Sequence, residues 1–214
     1  MKLFIDIETV PQYKDFHDMP DHLRHCYEKK FGHELENNVP GKYDCFEDHY
    51  NAKAALFAEF GKIVCIGFGY MLSGQITTKS ITGDEKHILN EASAIIDKAH
   101  SLVAHNGKDF DYPFLCRRMI INKMKLPSLL RIQNLKPWEI KLEDTVEMWK
   151  FGQFNYRASL DTMCAVLGVE SPKVDGIDGS SVRDMFYVAG DVDGIAKYCE
   201  RDVRALIQVY HALE

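Results

Sequence analysis

The sequence predicts an α/β fold: a mixed sheet, part antiparallel hairpin and part parallel strands, flanked by helices. Three observations lead there. Residues 62–71 and 76–81 are rich in β-branched and aromatic side chains and are separated by Ser73-Gly74, the pattern of a hairpin. Short apolar runs then alternate with segments of helical spacing. Finally, the 214 residues are 46% hydrophobic and 27% charged, long enough to bury a sheet-and-helix core and too apolar for disorder.

Taken in order, residues 2–7 form a buried strand. Residues 12–58 break the pattern: they are polar, carry five of the nine histidines and hold Pro20, Pro40 and Gly41. They are expected to be an inserted helical or irregular segment. After the hairpin, Ile88, Leu89, Ala92, Ile95, Ile96 and Ala99 mark a helix over 85–99. A short strand at 102–104 ends at His105-Asn106-Gly107 and is followed by a helix over 112–122. Another short strand, 140–144, runs into helical turns ending near Trp149. An amphipathic helix over 160–167 stops at Gly168, because glycine accommodates the left-handed backbone that ends a helix. A Gly- and Asp-rich loop (172–180) precedes helices at 182–188 and 194–213. No repeat or linker divides the chain, so residues 1–214 are expected to form one domain.

A formal charge of -6 does not advertise nucleic-acid binding. It does not exclude it either, since a metal-dependent site contributes carboxylates that its ions neutralise. Between Arg117 and Lys141 there are seven Lys or Arg residues against Glu139, either a track for phosphates or a solvated surface. The six cysteines show no Cys-x-x-Cys spacing, and Cys65 and Cys199 fall in apolar patterns. With no signal-peptide pattern and no apolar run long enough to span a bilayer, a reducing cytoplasm and no membrane are expected.

Four carboxylates stand where apolar residues belong, or at the mouth of such an element: Asp6, Glu8, Asp111 and Asp202. Alternation along a strand puts Asp6 and Glu8 on one face, about 7 Å apart. Tyr198 and Asp202 stack four apart within an otherwise apolar helix stripe of Ile195, Cys199, Leu206, Val209 and Leu213. Asp111 opens a helix. Each has an ordinary alternative: a surface acid or ion pair for Asp6 and Glu8, a pair with Arg201 or Arg204 for Asp202, and a helix N-terminal acid for Asp111, a place Asp109 also fits. Together, without a matching basic cluster, they point to hard divalent cations and to phosphoryl transfer.

Asp-x-Glu in Phe4-Ile5-Asp6-Ile7-Glu8-Thr9, Asn-x-x-x-Phe-Asp in Asn106–Asp111 and Tyr-x-x-x-Asp in Tyr198–Asp202 resemble, in that order, the three motifs of the DnaQ-like (DEDD) 3′→5′ exonucleases. The tyrosine is similar to the DEDDy branch; Lys197 stands where the DEDDh branch has its histidine. The phrases around Asp6 and 104–111, with 167–173 and 175–180, most resemble stand-alone bacterial proteins related to the proofreading domain of family-B DNA polymerases. The resemblance implies a ribonuclease H-like fold, a single exonuclease domain over 1–214 and cleavage of single-stranded nucleic acid ends, DNA being favoured and RNA possible. It implies two divalent ions, Mg2+ or Mn2+: one held by Asp6, Glu8 and Asp202, the other by Asp6 with Asp111. The Tyr198 hydroxyl would orient the attacking water. These 214 residues contain no polymerase domain, so proofreading within the chain is not expected, and no polymerase or repair partner is specified.

His105, Asn106, Phe110 and Lys173 are candidate substrate contacts, although His105 and Asn106 equally suit capping of the next helix. Asp161, after Ser159, reads as a helix N-terminal acid. His22, His25, Cys26, Cys45 and His49 would be a zinc site of irregular spacing. Aromatics in 12–60, and Phe151, Phe154 and Tyr156, suit either base stacking or a core. Three further readings stand beside the DNA exonuclease: an RNA-trimming enzyme of the same branch, a silent binding module and a structural adaptor, the last of which would leave the acid cluster without a purpose. The intact set Asp6, Glu8, Asp111, Tyr198 and Asp202 argues against the silent module.

Overall fold

In the computed structural model, which describes residues 1–37, 43–173 and 179–214, a five-stranded sheet runs in the order β3-β2-β1-β4-β5. The strands are β1 (Lys2–Pro11), β2 (Gly61–Leu72), β3 (Gln75–Thr82), β4 (Ser101–Ala104) and β5 (Leu142–Asp144). β2 lies antiparallel between β1 and β3, whereas β4 and β5 run parallel to β1. The mixed sheet expected from the sequence is present. The C-terminal ends of β1, β4 and β5 therefore open at one edge, where parallel strands present loops to a ligand.

The hairpin turns at Ser73 and Gly74, with φ of 50° and 77°, conformations that suit a two-residue loop. Helices α3 (Glu85–Ile96) and α4 (Asp111–Ile121) cover one face of the sheet. There Leu3, Ile5, Ile7, Ile66 and Phe68 meet Ile88, Leu89, Phe114 and Leu115. The opposite face takes α8 (Val192–Leu213), which buries Ile195, Cys199, Val203, Leu206 and Ile207 at helical spacing. Two glycines allow its close approach. A Cβ on Gly67 would lie 2.8 Å from Cys199 Sγ, and one on Gly69 2.6 Å from Val203 Cγ1 and 2.8 Å from Ile207 Cδ1.

β1 extends four residues beyond the expected end, and the register shifts between Glu8 and Thr9. Glu8 faces Cys65 and Thr9 faces Ile63, so Val64 is the extra residue of a bulge. Such a bulge re-aims the side chains beside it.

The described part of residues 12–58 contains the helices α1 (Asp21–Glu36) and α2 (Phe46–Lys53), with short 3-10 turns at Phe16–Asp18 and Ala54–Leu56. Phe16, Tyr27, Phe31, Tyr50 and Phe60 pack into a core of their own, so these aromatics are structural and do not await bases. Pro40 and Gly41 lie outside the described residues. Among the described residues the shorter α-helices are α5 (Thr145–Trp149), α6 (Leu160–Leu167) and α7 (Val182–Asp184). α6 ends at Gly168 with φ 69°. The helix expected over 182–188 is instead α7 followed by a π-turn, Met185–Ala189, closed by Gly190 at φ 66°. Among the described residues no helix is long and apolar enough to cross a membrane.

The glycine contacts yield a paired test. Gly69→Ala is expected to cost about 1–3 kcal/mol through overpacking against α8. Gly32→Ala, on α1 with nothing within 4 Å of the added methyl, is expected to be neutral or stabilising by up to about 1 kcal/mol. Urea denaturation of both variants measures the difference.

Candidate active site

Asp6, Glu8, Asp111 and Asp202 all line one cleft of about 500 Å3, together with His105, Asn106, Phe110 and Tyr198. The elements deliver them for local reasons. β1 is the middle strand, and its alternation sends Asp6 and Glu8 to the α8 side, while Ile5 and Ile7 enter the α3–α4 core. Asp202 falls in the buried stripe of α8, and Tyr198, one turn earlier, donates its hydroxyl to it. Asp111 opens α4, and its own backbone N–H favours its charged form. The carboxylate accepts from the N–H of Ile7, the residue between Asp6 and Glu8, so the two motifs are tied directly.

None of the four carboxylates forms a salt bridge among the described residues. Burial and then the neighbouring negative charges hold Asp6 and Glu8 well above the usual carboxylate range. Burial lifts Asp111 to about 7 and Asp202 to about 6; for Asp202 the bond from Tyr198 and the charges of Arg201 and Lys173 work in the other direction. The Tyr198 hydroxyl is pushed up by burial and by the acids, so it stays neutral. Donor atoms of Asp6, Glu8 and Cys199 lie within 4.8 Å of one another. Cys199 is held as a thiol by burial and points to Asp6 Oδ2 at 3.4 Å, which makes it a donor to the carboxylate rather than a ligand. What remains is an oxygen donor set, the kind that suits Mg2+ or Mn2+.

The substrate-contact candidates divide. His105, Asn106 and Phe110 line the cleft. His105 Nε2 lies 2.9 Å from the Ala158 carbonyl and Nδ1 2.8 Å from Thr145 Oγ1. The carbonyl requires a proton on Nε2, so Nδ1 accepts from the threonine; burial holds the ring's pKa down and the ring neutral. It therefore ties two segments together instead of capping a helix. Lys173 is exposed outside the cleft lining, 4.0 Å from Asp161, which in turn accepts from Ser171. The loop positions 175–178 lie outside the described residues. The zinc reading fails: His22, His25 and Cys26 are exposed on α1, whereas His49 is buried with Nδ1 2.7 Å from the Tyr27 hydroxyl. The basic stretch also loses a member, since Arg118 is buried and clamps Glu85 with two bonds of 2.8 and 2.6 Å.

Two features escaped the sequence reading. The first is the wall opposite the carboxylates, built by Asn51, Ala52, Ala55 and Leu56 of the inserted segment and by Arg183. Thr9 Oγ1 donates to the Ala55 carbonyl at 2.8 Å, and Arg183 Nη2 to the Lys14 carbonyl at 3.0 Å. The insertion is thus part of the cleft, and Arg183 is the one Lys or Arg among its described lining residues. The second is a further buried carboxylate, Asp144. Its Oδ1 accepts from Asn106 N and Val146 N, both at 2.9 Å, and its Oδ2 from Lys108 N at 3.0 Å. It fixes the loop that carries Asn106 to Asp111. That loop turns through Asn106 at φ 57° and passes Gly107, where a Cβ would lie 2.3 Å from Ala104 Cβ. The Asp-Thr step at a strand end was the available signal, but it reads as an ordinary helix cap, which Asp144 also is.

The family model described as a predicted 3′-5′ exonuclease related to the exonuclease domain of PolB matches residues 56–213. The chain belongs to this family. The match covers Asp111, Tyr198 and Asp202 and begins after Asp6 and Glu8, leaving most of the insertion outside it. Among solved structures, the family B DNA polymerase of the hyperthermophilic archaeon Pyrobaculum calidifontis is similar with a TM-score of 0.58 at 14% identity. The likeness covers 98% of this chain and 24% of the polymerase, so the chain spans about a quarter of that protein. At that identity it speaks for the fold, the ribonuclease H-like sheet expected from the motifs. No curated protein matches the chain.

Asp144→Ala leaves three backbone donors without their acceptor and is expected to destabilise the protein by about 2–5 kcal/mol. Asp144→Asn keeps one acceptor oxygen and should fall between the two. Guanidinium denaturation decides: an alanine variant within about 0.5 kcal/mol of the parent would show that the loop does not depend on Asp144.

Proposed function

We propose that the chain is a metal-dependent 3′→5′ exonuclease that hydrolyses the terminal phosphodiester bond of single-stranded DNA, with residues 1–214 acting as one exonuclease domain. The observation that carries this reading is the convergence of Asp6, Glu8, Asp111 and Asp202 on one cleft, with no salt-bridged cation among the described residues, beside a neutral Tyr198. The family to which the chain belongs supports the direction of cleavage, and its relation to a DNA polymerase domain supports DNA.

Asp6, Glu8 and Asp202 are suited to hold one divalent ion, and Asp6 with Asp111 a second. When bound, such ions supply neutralisation of the scissile phosphate and acidification of the attacking water. The chain's own groups do the rest. Tyr198, neutral and bonded to Asp202, orients the water as a hydrogen-bonding group; with its pKa raised above the phenol value it is no base at neutral pH. Asp144 and His105 keep the 105–111 loop in place, so that Asp111 reaches the cleft without a conformational search. The wall made by Asn51, Leu56 and Arg183 bounds the cleft on the side of the inserted segment and limits the space open to the strand end.

A 5′-labelled single strand incubated with Mg2+ or Mn2+ is expected to shorten progressively from its 3′ end. Chelator, Asp6→Ala and Asp202→Ala should each abolish the shortening, and Tyr198→Phe should lower kcat roughly 10- to 100-fold. Degradation that persists in both alanine variants sinks the assigned site. Faster shortening of RNA than of DNA in the same assay would reassign the sugar preference.

A further inference from the structure

The segment between α5 and α6 carries two phenylalanines that the fold does not use. Phe151 and Phe154 are each 88% exposed, and neither belongs to a core cluster or meets another ring among the described residues. Their backbone is held in an uncommon form. Phe151 has φ 44°, Gly152 φ 80° and Asn155 φ 58°, and Gln153 N closes the turn on the Lys150 carbonyl at 2.8 Å. A bulky non-glycine residue in the left-handed region is strained, and such strain is usually compensated by what it positions. Here it positions nothing inside the protein, since both rings project into water.

The loop is fastened to the rim of the cleft. Arg157 Nη2 donates to Asp109 Oδ2 at 2.9 Å, two residues before Asp111, and the Ala158 carbonyl accepts from His105, which lines the cleft. A strand whose end lies among the carboxylates and which leaves past the 105–109 loop meets this segment. Exposed Lys108 and Arg157 stand on that route, the latter already paired with Asp109. Apolar rings interleaved with cations beside a cleft fit unpaired bases, because every base offers a face to stack on while the phosphates meet the positive charges.

We infer that Phe151 and Phe154 form a stacking surface for the unpaired bases upstream of the scissile phosphate. This rests on the exonuclease reading and deepens it. The substrate is a single strand several nucleotides long, gripped outside the catalytic cleft, and a paired strand, whose bases are already stacked, does not engage the rings.

The test uses 5′-labelled DNA strands of graded length, from trinucleotide to 24-mer, as a probe series. The double variant Phe151→Ala/Phe154→Ala is expected to raise KM for the long strands by about fivefold or more, leaving kcat and the trinucleotide unchanged. Because both rings are exposed, the variant should fold as the parent does, and a matching thermal midpoint verifies it. A second readout needs no turnover. Phe154→Trp in the presence of chelator should show fluorescence quenching on adding a 24-mer single strand and little on adding a blunt duplex of the same length. If the wild type shortens no strand, the exonuclease reading fails, while the quenching still reports on the loop. If the wild type is active but the double variant keeps its KM at every length and the Phe154→Trp variant shows no quenching, the stacking surface is overturned and the rings belong to a protein contact instead.

Discussion

Asp6, Glu8, Asp111 and Asp202 repel one another on the wall of one cleft, three of them buried and Asp6 half-buried, and this repulsion is the constraint around which the molecule is arranged. A buried carboxylate without a cation is costly, and a group of them more so. The fold moderates the cost in ways visible in its details. Two backbone N–H groups favour charged Asp111, Asp202 takes the Tyr198 hydroxyl, and Asp6 takes the Cys199 thiol. None of these removes the net negative charge. They hold the acids at fixed positions and leave the charge for something else to neutralise, the expected design of a site preorganised for divalent cations and a phosphate.

The scaffold serves that arrangement. Three parallel strands end at one edge, so Asp6 and Glu8 of β1, the 105–111 loop after β4 and Asp144 at the end of β5 all arrive there. Gly67 and Gly69 let α8 approach the opposite face, which brings Asp202 over β1. The insertion closes the remaining side with Asn51 and Leu56. Unneutralised, such acids cost stability, which the packing of α3, α4 and α8 on the sheet has to offset.

Much of this was legible in the sequence because the signals are local. Strand alternation placed Asp6 and Glu8 on one face, the four-residue spacing placed Tyr198 beside Asp202, and Ser73-Gly74 marked the hairpin. Helices and strands lie where the local patterns put them, with ends off by a few residues; the extension of β1 to Pro11 was hidden by the polar Glu8-Thr9 that a central strand does not ordinarily carry. What was not legible depended on contacts distant in sequence. Asp144 looks like any helix cap until Asn106 and Lys108 are seen to donate to it. Arg118 looks like part of a basic surface until Glu85, 33 residues away, is seen in its fork. The aromatics of 12–60 carry no periodicity that announces a separate small core, and the histidines among them suggested zinc where His49 in fact packs against Tyr27.

The central claim, that the buried acids await a divalent ion, is tested most directly by the thermal midpoint from pH 5 to 8, in chelator and in Mn2+. Asp111 and Asp202, with folded values near 7 and 6, bind protons in the native state that the unfolded chain has already lost. Their contribution is therefore present below about pH 4 and disappears as the pH rises through those folded values. His105, with a lowered pKa, acts in the opposite sense, but it does so in both conditions and cancels in the difference. The account predicts that the Mn2+-induced rise in midpoint grows from pH 5 to pH 8 and is lost in Asp6→Ala. A rise that is absent, independent of pH, or equally large in Asp6→Ala would contradict it.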